Sequence, residues 1–246
     1  MILVLGGTSE ARTVAKALKA SGQRVLLTAV HDYAGELVSG AVEVRIGALD
    51  EETLGELVRD ASLVVDATHP FATAITEMAI AVCAQLNVPY VRFERPKSTL
   101  PDHVFLAEEP KEAARLAVAK AQGGTIFLTV GSKTLSTYLE TARAAQCRLV
   151  ARVLPVVESL NECTQLGMQP RDIVAMQGPT SAELDAALLC HFAARVLVTK
   201  ESGTTGGVEE KIEAAEMVGI PVIVVCRPNM VYPRAVRSVD ELFSQL

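Results

Sequence analysis

The sequence has no tryptophan, and aromatic residues make up only 4% of its 246 residues. Half of the residues are nevertheless hydrophobic, so aliphatic side chains must supply most of the core. This composition is typical of α/β proteins whose strands are buried on both faces. The formal net charge of −6 excludes a global positive field for nucleic acid or anionic membranes. We therefore expect neither a nucleic-acid partner nor a membrane partner.

Cysteine is also scarce, and its five positions show no pattern. None lies in a C-x-x-C pair or at metal-ligand spacing from a histidine, so we expect buried thiols in a reducing compartment and no metal site. The chain begins directly with a strand rather than a signal peptide. The longest apolar run, 78–84, is too short to span a bilayer. These absences predict a soluble cytoplasmic protein, and its oligomeric state stays open.

A regular alternation of strands and helices runs along nearly the whole chain. In the first part the pattern predicts strands at 2–5, 24–29, 42–46, 62–66 and 88–93, and helices at 9–21, 34–39, 51–59 and 70–86. In the second part it predicts strands at 104–107, 125–130, 148–153, 172–176, 195–199 and 221–226, and helices at 110–121, 134–145, 156–166, 181–193, 207–218 and from 239.

The stretch between these two parts, 92–103, contains two prolines and no apolar periodicity. We therefore predict two α/β domains, 1–97 and 98–246, the first of which binds a dinucleotide. Each is expected to be Rossmann-like or flavodoxin-like, with a parallel sheet flanked by helices and a cleft between the domains.

The stretch "LVLGGTSEAR", residues 3–12, resembles the phosphate-binding turn of a dinucleotide fold. Gly6 and Gly7 follow the first strand, and glycine lets the backbone turn tightly and approach a ligand. Thr8 or Ser9 can cap the next helix, whose N-terminus favours an anion. The alternative is an ordinary strand-to-helix turn.

The second predicted strand ends near Thr28 and Ala29 without the acidic residue that NAD-binding proteins use to hold the ribose. Arg12, on the first helix, is placed to meet a 2′-phosphate. Both features favour NADP, although Arg12 could equally be a solvated helix residue.

A second glycine-rich stretch, "VTKESGTTGGVEEK" at 198–211, leads from a strand into a helix, and Lys200 and Lys211 bracket it. Its glycines and hydroxyls predict an anion-binding loop, with a flexible connection as the alternative.

Cationic and polar residues follow nearly every strand, where open α/β sheets bind their ligands. Because arginine binds carboxylates bidentately, the set predicts a substrate with several carboxylates or phosphates. His69 could be a general acid, a helix cap or an orienting group. The residues at the strand ends are Asp66, Thr68, His69, Arg92, Arg95, Ser132, Lys133, Arg152, Gln177, Ser181, Lys200 and Arg227.

Together these stretches resemble the precorrin-6A reductase family of cobalamin biosynthesis, including its cobalt-precorrin form. The resemblance rests on "GGTSEAR", "DATHPFA", "RFERP", "TVGSK", "ARVLP", "MQGP", "VTKESGTTGG" and "GIPVIVVCRP" in this order. It implies that hydride from NADPH reduces one carbon–carbon double bond of precorrin-6A, or of its cobalt form, to give the 6B form. The sequence departs from the expected pattern at Thr180, where we expect an aromatic residue.

The resemblance also implies which residues bind each ligand. It places NADPH at Gly6, Gly7, Thr8, Ser9, Glu10, Arg12, Thr68 and His69. It places the tetrapyrrole at Arg92, Arg95, Lys133, Arg152, Lys200, Ser202 and Arg227. The candidates for the proton donor are Lys200, His69 and ordered water.

Three alternatives remain open at this point. The chain could be a nucleotide-sensing module without turnover, or an NADP-linked reductase of another polycarboxylate. A transferase that uses a nucleotide sugar would accept the same loops.

Overall fold

Twelve strands in two parallel six-stranded sheets form the framework of the computed structural model, which describes residues 1–30 and 42–246. These residues divide into unit 1, Met1–Pro96 with Pro228–Leu246, and unit 2, Lys97–Arg227. The predicted fold class, helix-flanked parallel sheets, is confirmed. The helix predicted at 34–39 lies outside the described residues. Among the described helices, none combines the length and the apolar character needed to cross a membrane.

The sheet of unit 1 has the order β12-β5-β4-β1-β2-β3, with elements numbered along the chain. Its strands are β1 (Ile2–Leu5), β2 (Val25–Ala29), β3 (Glu43–Ile46), β4 (Leu63–Asp66), β5 (Tyr90–Phe93) and β12 (Ala235–Val236). Its helices are α1 (Ser9–Ala20), α2 (Glu51–Arg59), α3 (Thr73–Leu86) and α9 (Val239–Phe243).

The sheet of unit 2 has the order β6-β11-β10-β7-β8-β9. Its strands are β6 (Phe105–Ala107), β7 (Thr125–Leu128), β8 (Arg148–Val153), β9 (Ile173–Ala175), β10 (Ala194–Lys200) and β11 (Val222–Val225). Its helices are α4 (Pro110–Ala121), α5 (Leu135–Ala144), α6 (Val157–Gln165), α7 (Ala182–His191) and α8 (Val208–Val218).

The central strand β1 is buried on both faces, as the aliphatic composition predicts. Alternate side chains of a strand point to opposite faces. Ile2 and Val4 accordingly pack in one core cluster that includes residues of α1. Leu3 and Leu5 pack in another cluster, with residues of α2 and α3.

The final strand departs from the predicted domain division. β12 pairs in parallel with β5, with Ala235 opposite Arg92 and Val236 opposite Phe93. β6, which follows β5 in the chain, pairs with β11 and belongs to unit 2. The prediction that 98–246 form one domain is therefore wrong for 228–246. A two-residue strand has no periodicity to detect in the sequence, although Val236 is only 3% exposed.

Candidate functional site

The strand order of unit 1 reverses at β1, because the chain passes to β2 and β3 on one side and to β4 and β5 on the other. Open α/β sheets bind ligands beyond the carboxyl ends of the strands at such a point. The loops after β1 and β4 flank it here. The Thr8 hydroxyl on the first loop donates a hydrogen bond to the Ala67 carbonyl on the second, over 2.7 Å.

The loop after β1 requires both of its glycines. A Cβ at Gly6 would lie 2.6 Å from both Leu27 Cδ1 and the Thr28 carbonyl oxygen, so the space is already filled. Gly7 has a φ of +109°, which L side chains rarely adopt. The loop therefore lies close against β2, as a dinucleotide-binding turn requires.

Thr8 is the residue that caps α1, since its side-chain oxygen accepts a hydrogen bond from the Ala11 N–H at 3.1 Å. Ser9 instead directs its hydroxyl to the Glu10 carboxylate, 3.1 Å away. Glu10 also pairs with Arg95, with 2.7 Å between Oε2 and a guanidinium nitrogen. Two residues that sequence reasoning assigned to different ligands thus bind each other.

Asp66, at the end of β4, is the centre of a buried polar network. Its side chain is fully buried and forms an ion pair of 2.8 Å with Arg92, which is 1% exposed. Thr68 donates to the same carboxylate through its N–H at 3.0 Å and its hydroxyl at 2.7 Å. Thr76 and Tyr90 donate to the other oxygen, at 2.7 and 2.8 Å. The Arg92 guanidinium also donates to the Thr68 carbonyl at 2.9 Å, so it is directed inward, into this network.

We expect Asp66→Ala to lower the free energy of unfolding by about 3–5 kcal/mol, because Arg92 would become an unpaired buried charge. Urea denaturation measures the loss. The matched control is Asp172→Ala, which breaks the pair with Arg148, whose side chain is 44% exposed. Its cost is expected to stay below about 1 kcal/mol. Equal losses in the two variants would contradict this account of Asp66.

His69 shapes the turn that precedes α3. Its Nδ1 accepts a hydrogen bond from the Phe71 N–H at 3.2 Å, and its carbonyl accepts one from the Ala72 N–H at 2.8 Å. An accepting Nδ1 carries no proton, so the neutral ring has its proton on Nε2. This turn delays α3 to Thr73, whereas the sequence predicted a start at residue 70.

In unit 2 the strand order reverses at β7, so the loops after β7 and β10 flank the corresponding point. Lys133 is exposed on the first loop, and the half-buried Lys200 ends β10. Burial, followed by the positive charge of Lys133, lowers the pKa of Lys200 from the usual 10.5 to about 8. The reversal point thus carries two neighbouring ammonium groups.

The second glycine loop is fixed by buried ionic groups. The Glu201 carboxylate accepts hydrogen bonds from the N–H groups of Gly203, at 3.0 Å, and Ser98, at 3.1 Å. It also pairs with Arg227, which is 8% exposed. Ser202, between Glu201 and Gly203, is 7% exposed. Arg227 therefore holds the loop through Glu201.

Lys211 lies beneath the same loop and holds its far end. Its Nζ donates to the carbonyls of Gly206 and Gly207 at 2.8 and 2.7 Å. Burial, followed by the charge of Arg152, lowers the pKa of Lys211 to about 8. The carbonyl oxygens of Gly206 and Gly207 therefore accept hydrogen bonds from this ammonium group.

Arg152 pairs with the buried Asp185 on α7. It also donates to the Thr180 hydroxyl at 2.8 Å, and that hydroxyl donates to Asp185 at 2.8 Å. The hydroxyl of Thr180, where we expected an aromatic side chain, thus completes this network.

All four arginines that sequence reasoning assigned to the substrate, Arg92, Arg95, Arg152 and Arg227, form ion pairs with carboxylates of the chain. Lys133 lies on the loop after β7 and Lys200 ends β10, so both lie at the strand reversal of unit 2. Sequence reasoning missed the roles of Glu201, Asp185 and Lys211. Within 1–30 and 42–246, no group of three or more His, Cys, Asp or Glu residues is placed to hold a metal ion.

Comparison with known proteins gives consistent matches along the whole chain. A family model described as "Precorrin-6x reductase CbiJ/CobK" matches residues 1–246. The cobalt-precorrin-6A reductase of Priestia megaterium is 38% identical, covering 100% of this chain and 98% of that protein. The precorrin-6A reductase of Rhodobacter capsulatus is 32% identical, covering 92% of this chain and 88% of that protein. A solved structure titled "CobK precorrin-6A reductase" matches with a TM-score of 0.75 and 30% identity, covering 99% of this chain and 94% of that one.

Proposed function

Because the chain belongs to the precorrin-6x reductase family, oxidoreductases of cobalamin biosynthesis, we propose that it uses NADPH to reduce one carbon–carbon double bond of a precorrin-6A ring. The product is the 6B form. The resemblance drawn from the motifs is confirmed, and a reductase of this family implies a nicotinamide cofactor. The observation that carries the proposal is the close-packed Gly6-Gly7 loop at the strand reversal of unit 1.

The residues of this loop fit a dinucleotide. The absence of a Cβ at Gly6 lets the loop pack against β2, and the absence of a Cβ at Gly7 leaves the backbone there able to approach a pyrophosphate. The N-terminus of α1 favours the negative charge of that group. Thr8 holds the loop in place through its bonds to Ala11 and Ala67. Bound NADPH supplies the hydride. Glu10, which pairs with Arg95, and Thr68, which accepts a hydrogen bond from Arg92, are further residues of unit 1 that we propose beside the nucleotide.

Arg12 is the residue we propose for the 2′-phosphate, since β2 ends at Ala29 without an acidic side chain. We expect Arg12→Ala to raise the dissociation constant of NADPH about 10–100-fold, the range of a charge-assisted contact, and to leave that of NADH within about twofold. Isothermal titration with each nucleotide measures both constants. A parallel weakening of NADPH and NADH would show that Arg12 does not read the phosphate.

Lys133, Lys200 and Ser202 are the groups of unit 2 that we propose for the acidic substrate. Lys133 lies on the loop after β7, Lys200 ends β10, and Ser202 lies on the loop that follows. The four paired arginines have a different proposed role, which is to hold these loops and those of unit 1 in place.

We propose Lys200 as the proton donor, because a pKa of about 8 keeps its Nζ mostly protonated at neutral pH yet able to release the proton. The proton goes to the carbon next to the one that receives hydride. The alternatives are His69, whose Nδ1 is already occupied by the Phe71 N–H, and ordered water.

We propose cobalt-precorrin-6A as the first substrate to test. Relatives that bear this name range from 31% to 41% identity, and the precorrin-6A reductases of Rhodobacter capsulatus and Rhodococcus erythropolis, at 32% and 33%, fall within that range. The choice therefore rests on the two relatives with 38% and 41% identity, which both bear the cobalt name.

The proposed function is tested by anaerobic incubation of the protein with NADPH and either form of precorrin-6A, followed by absorbance of the reduced nicotinamide. We expect oxidation that needs both protein and tetrapyrrole, and that NADH supports less well. Tight NADPH binding without oxidation of either substrate would favour the sensing module instead.

A further inference from the structure

Two aliphatic side chains are exposed at the carboxyl edge of the unit 2 sheet. Leu154 follows the last residue of β8 and is 46% exposed, and Val157 begins α6 and is 69% exposed. Leu160, one helical turn further along α6, is 38% exposed. We call these three residues the apolar strip. Several exposed apolar side chains at a ligand-binding edge commonly mark a binding site.

The backbone that presents the strip is a tight turn. The Val156 N–H donates to the Leu154 carbonyl at 2.9 Å across Pro155, closing a three-residue turn. Proline fixes its own φ, so the turn loses little conformational freedom when a ligand binds. The strip is thus a preformed surface.

The strip begins directly after β8, the strand that pairs with β7, so the strip and the cationic loop after β7 lie at the same carboxyl edge of the sheet. The hydroxyl of Ser132 on that loop donates to the hydroxyl of Ser159 on α6, over 3.5 Å. Lys133 is the next residue of the loop, and its charge acts on Lys200. Apolar side chains and ammonium groups therefore follow the carboxyl ends of three neighbouring strands, β8, β7 and β10.

We propose that the apolar strip packs against the flat face of the tetrapyrrole while Lys133 and Lys200 bind its peripheral carboxylates. This inference rests on the proposed function and extends it to the residues that hold the ring. A macrocycle with an apolar face and an acidic rim is chemically suited to exposed aliphatic side chains that share an edge with two ammonium groups. With no tryptophan in the chain, aliphatic side chains supply this contact.

The test is the double variant Leu154→Ser/Val157→Ser. Because both side chains are exposed, we expect the variant to fold as the wild type does. We expect KM for the tetrapyrrole to rise about 10–50-fold, since each lost contact weakens binding about three- to sevenfold. kcat and the NADPH dissociation constant should stay within about twofold, because the contact acts equally on ground state and transition state.

The matched control is Met217→Ser. Met217 is 59% exposed near the C-terminal end of α8, a helix that starts at the carboxyl edge and runs back to the opposite edge. The KM of this variant for the tetrapyrrole is expected to equal that of the wild type.

Equal KM values for the double variant and the wild type would overturn the inference while leaving the proposed function intact. A change in sedimentation of the double variant without a change in KM would assign the strip to contact with a second copy, and would also overturn it. If the wild-type protein neither binds nor reduces the tetrapyrrole, the proposed function is wrong. The proposal that the strip binds this ligand is then wrong as well.

Discussion

Replacing Lys200 by methionine is expected to lower kcat about 10²–10⁴-fold, the range of a lost general acid. NADPH binding should stay within about twofold of the wild type, because the proposed nucleotide loop belongs to unit 1. Lys200→Arg separates charge from proton transfer. Its guanidinium keeps the positive charge for substrate carboxylates but does not release a proton near neutral pH, so KM should be retained and kcat lost. Full turnover in both variants would favour ordered water or His69 as the donor.

The pH dependence follows from the same group. The acid must be protonated, so kcat/KM of the wild type should fall as the pH rises above about 8, the pKa of Lys200 in the folded protein. Lys133→Met removes a positive charge that lowers this pKa. The falling limb should therefore move to higher pH in that variant, and a limb that stays in place would contradict the assignment.

The second large effect, on stability and on NADPH binding, is expected from Gly6→Ala. The new methyl group would meet the Thr28 carbonyl oxygen and Leu27 Cδ1 at 2.6 Å, and the backbone oxygen cannot move aside. Overpacking of this kind costs about 1–3 kcal/mol of unfolding free energy. The loop must shift away from β2, so NADPH binding should weaken, and a displacement of the bound reactant by about 1 Å costs on the order of 100-fold in turnover.

Gly55→Ala is the matched control, since it is the same substitution in the same unit. Gly55 lies within α2, where a Cβ would have no neighbour within 4 Å. Alanine should stabilise this helix by about 0.5–1 kcal/mol and leave NADPH binding unchanged. Urea denaturation and nucleotide titration together separate the two effects. Gly6→Ala with wild-type NADPH affinity would remove the loop from the proposed site.

Local patterns in the sequence were sufficient to predict the sheets and the two glycine loops. The periodicity of a strand or a helix is a local pattern, because it involves residues that are close together in the sequence. The Gly6-Gly7 loop could be located in the same way, since it follows a strand whose apolar residues predict its burial. The same reasoning located Lys133 and Lys200, because residues that end parallel strands reach one edge of the sheet.

The partners of the arginines could not be predicted in this way. Arg92 and Asp66 are 26 residues apart in the chain, and Arg95 and Glu10 are 85 apart. An arginine at a strand end has the same local sequence whether it binds a substrate or a carboxylate of its own chain. The return of the chain to unit 1 at β12 was hidden for a related reason, since the pairing of a two-residue strand is decided by tertiary contacts alone.

The most direct test of hydride transfer from NADPH to the tetrapyrrole uses NADPH deuterated at C4 of the nicotinamide, in each of its two stereochemical forms. Mass spectrometry of the product then reports the origin of each new hydrogen. We predict that one of the two labelled forms delivers one deuterium to the ring, and that unlabelled NADPH in D2O places deuterium on the adjacent carbon. A reduced ring without deuterium from either labelled form would contradict the account.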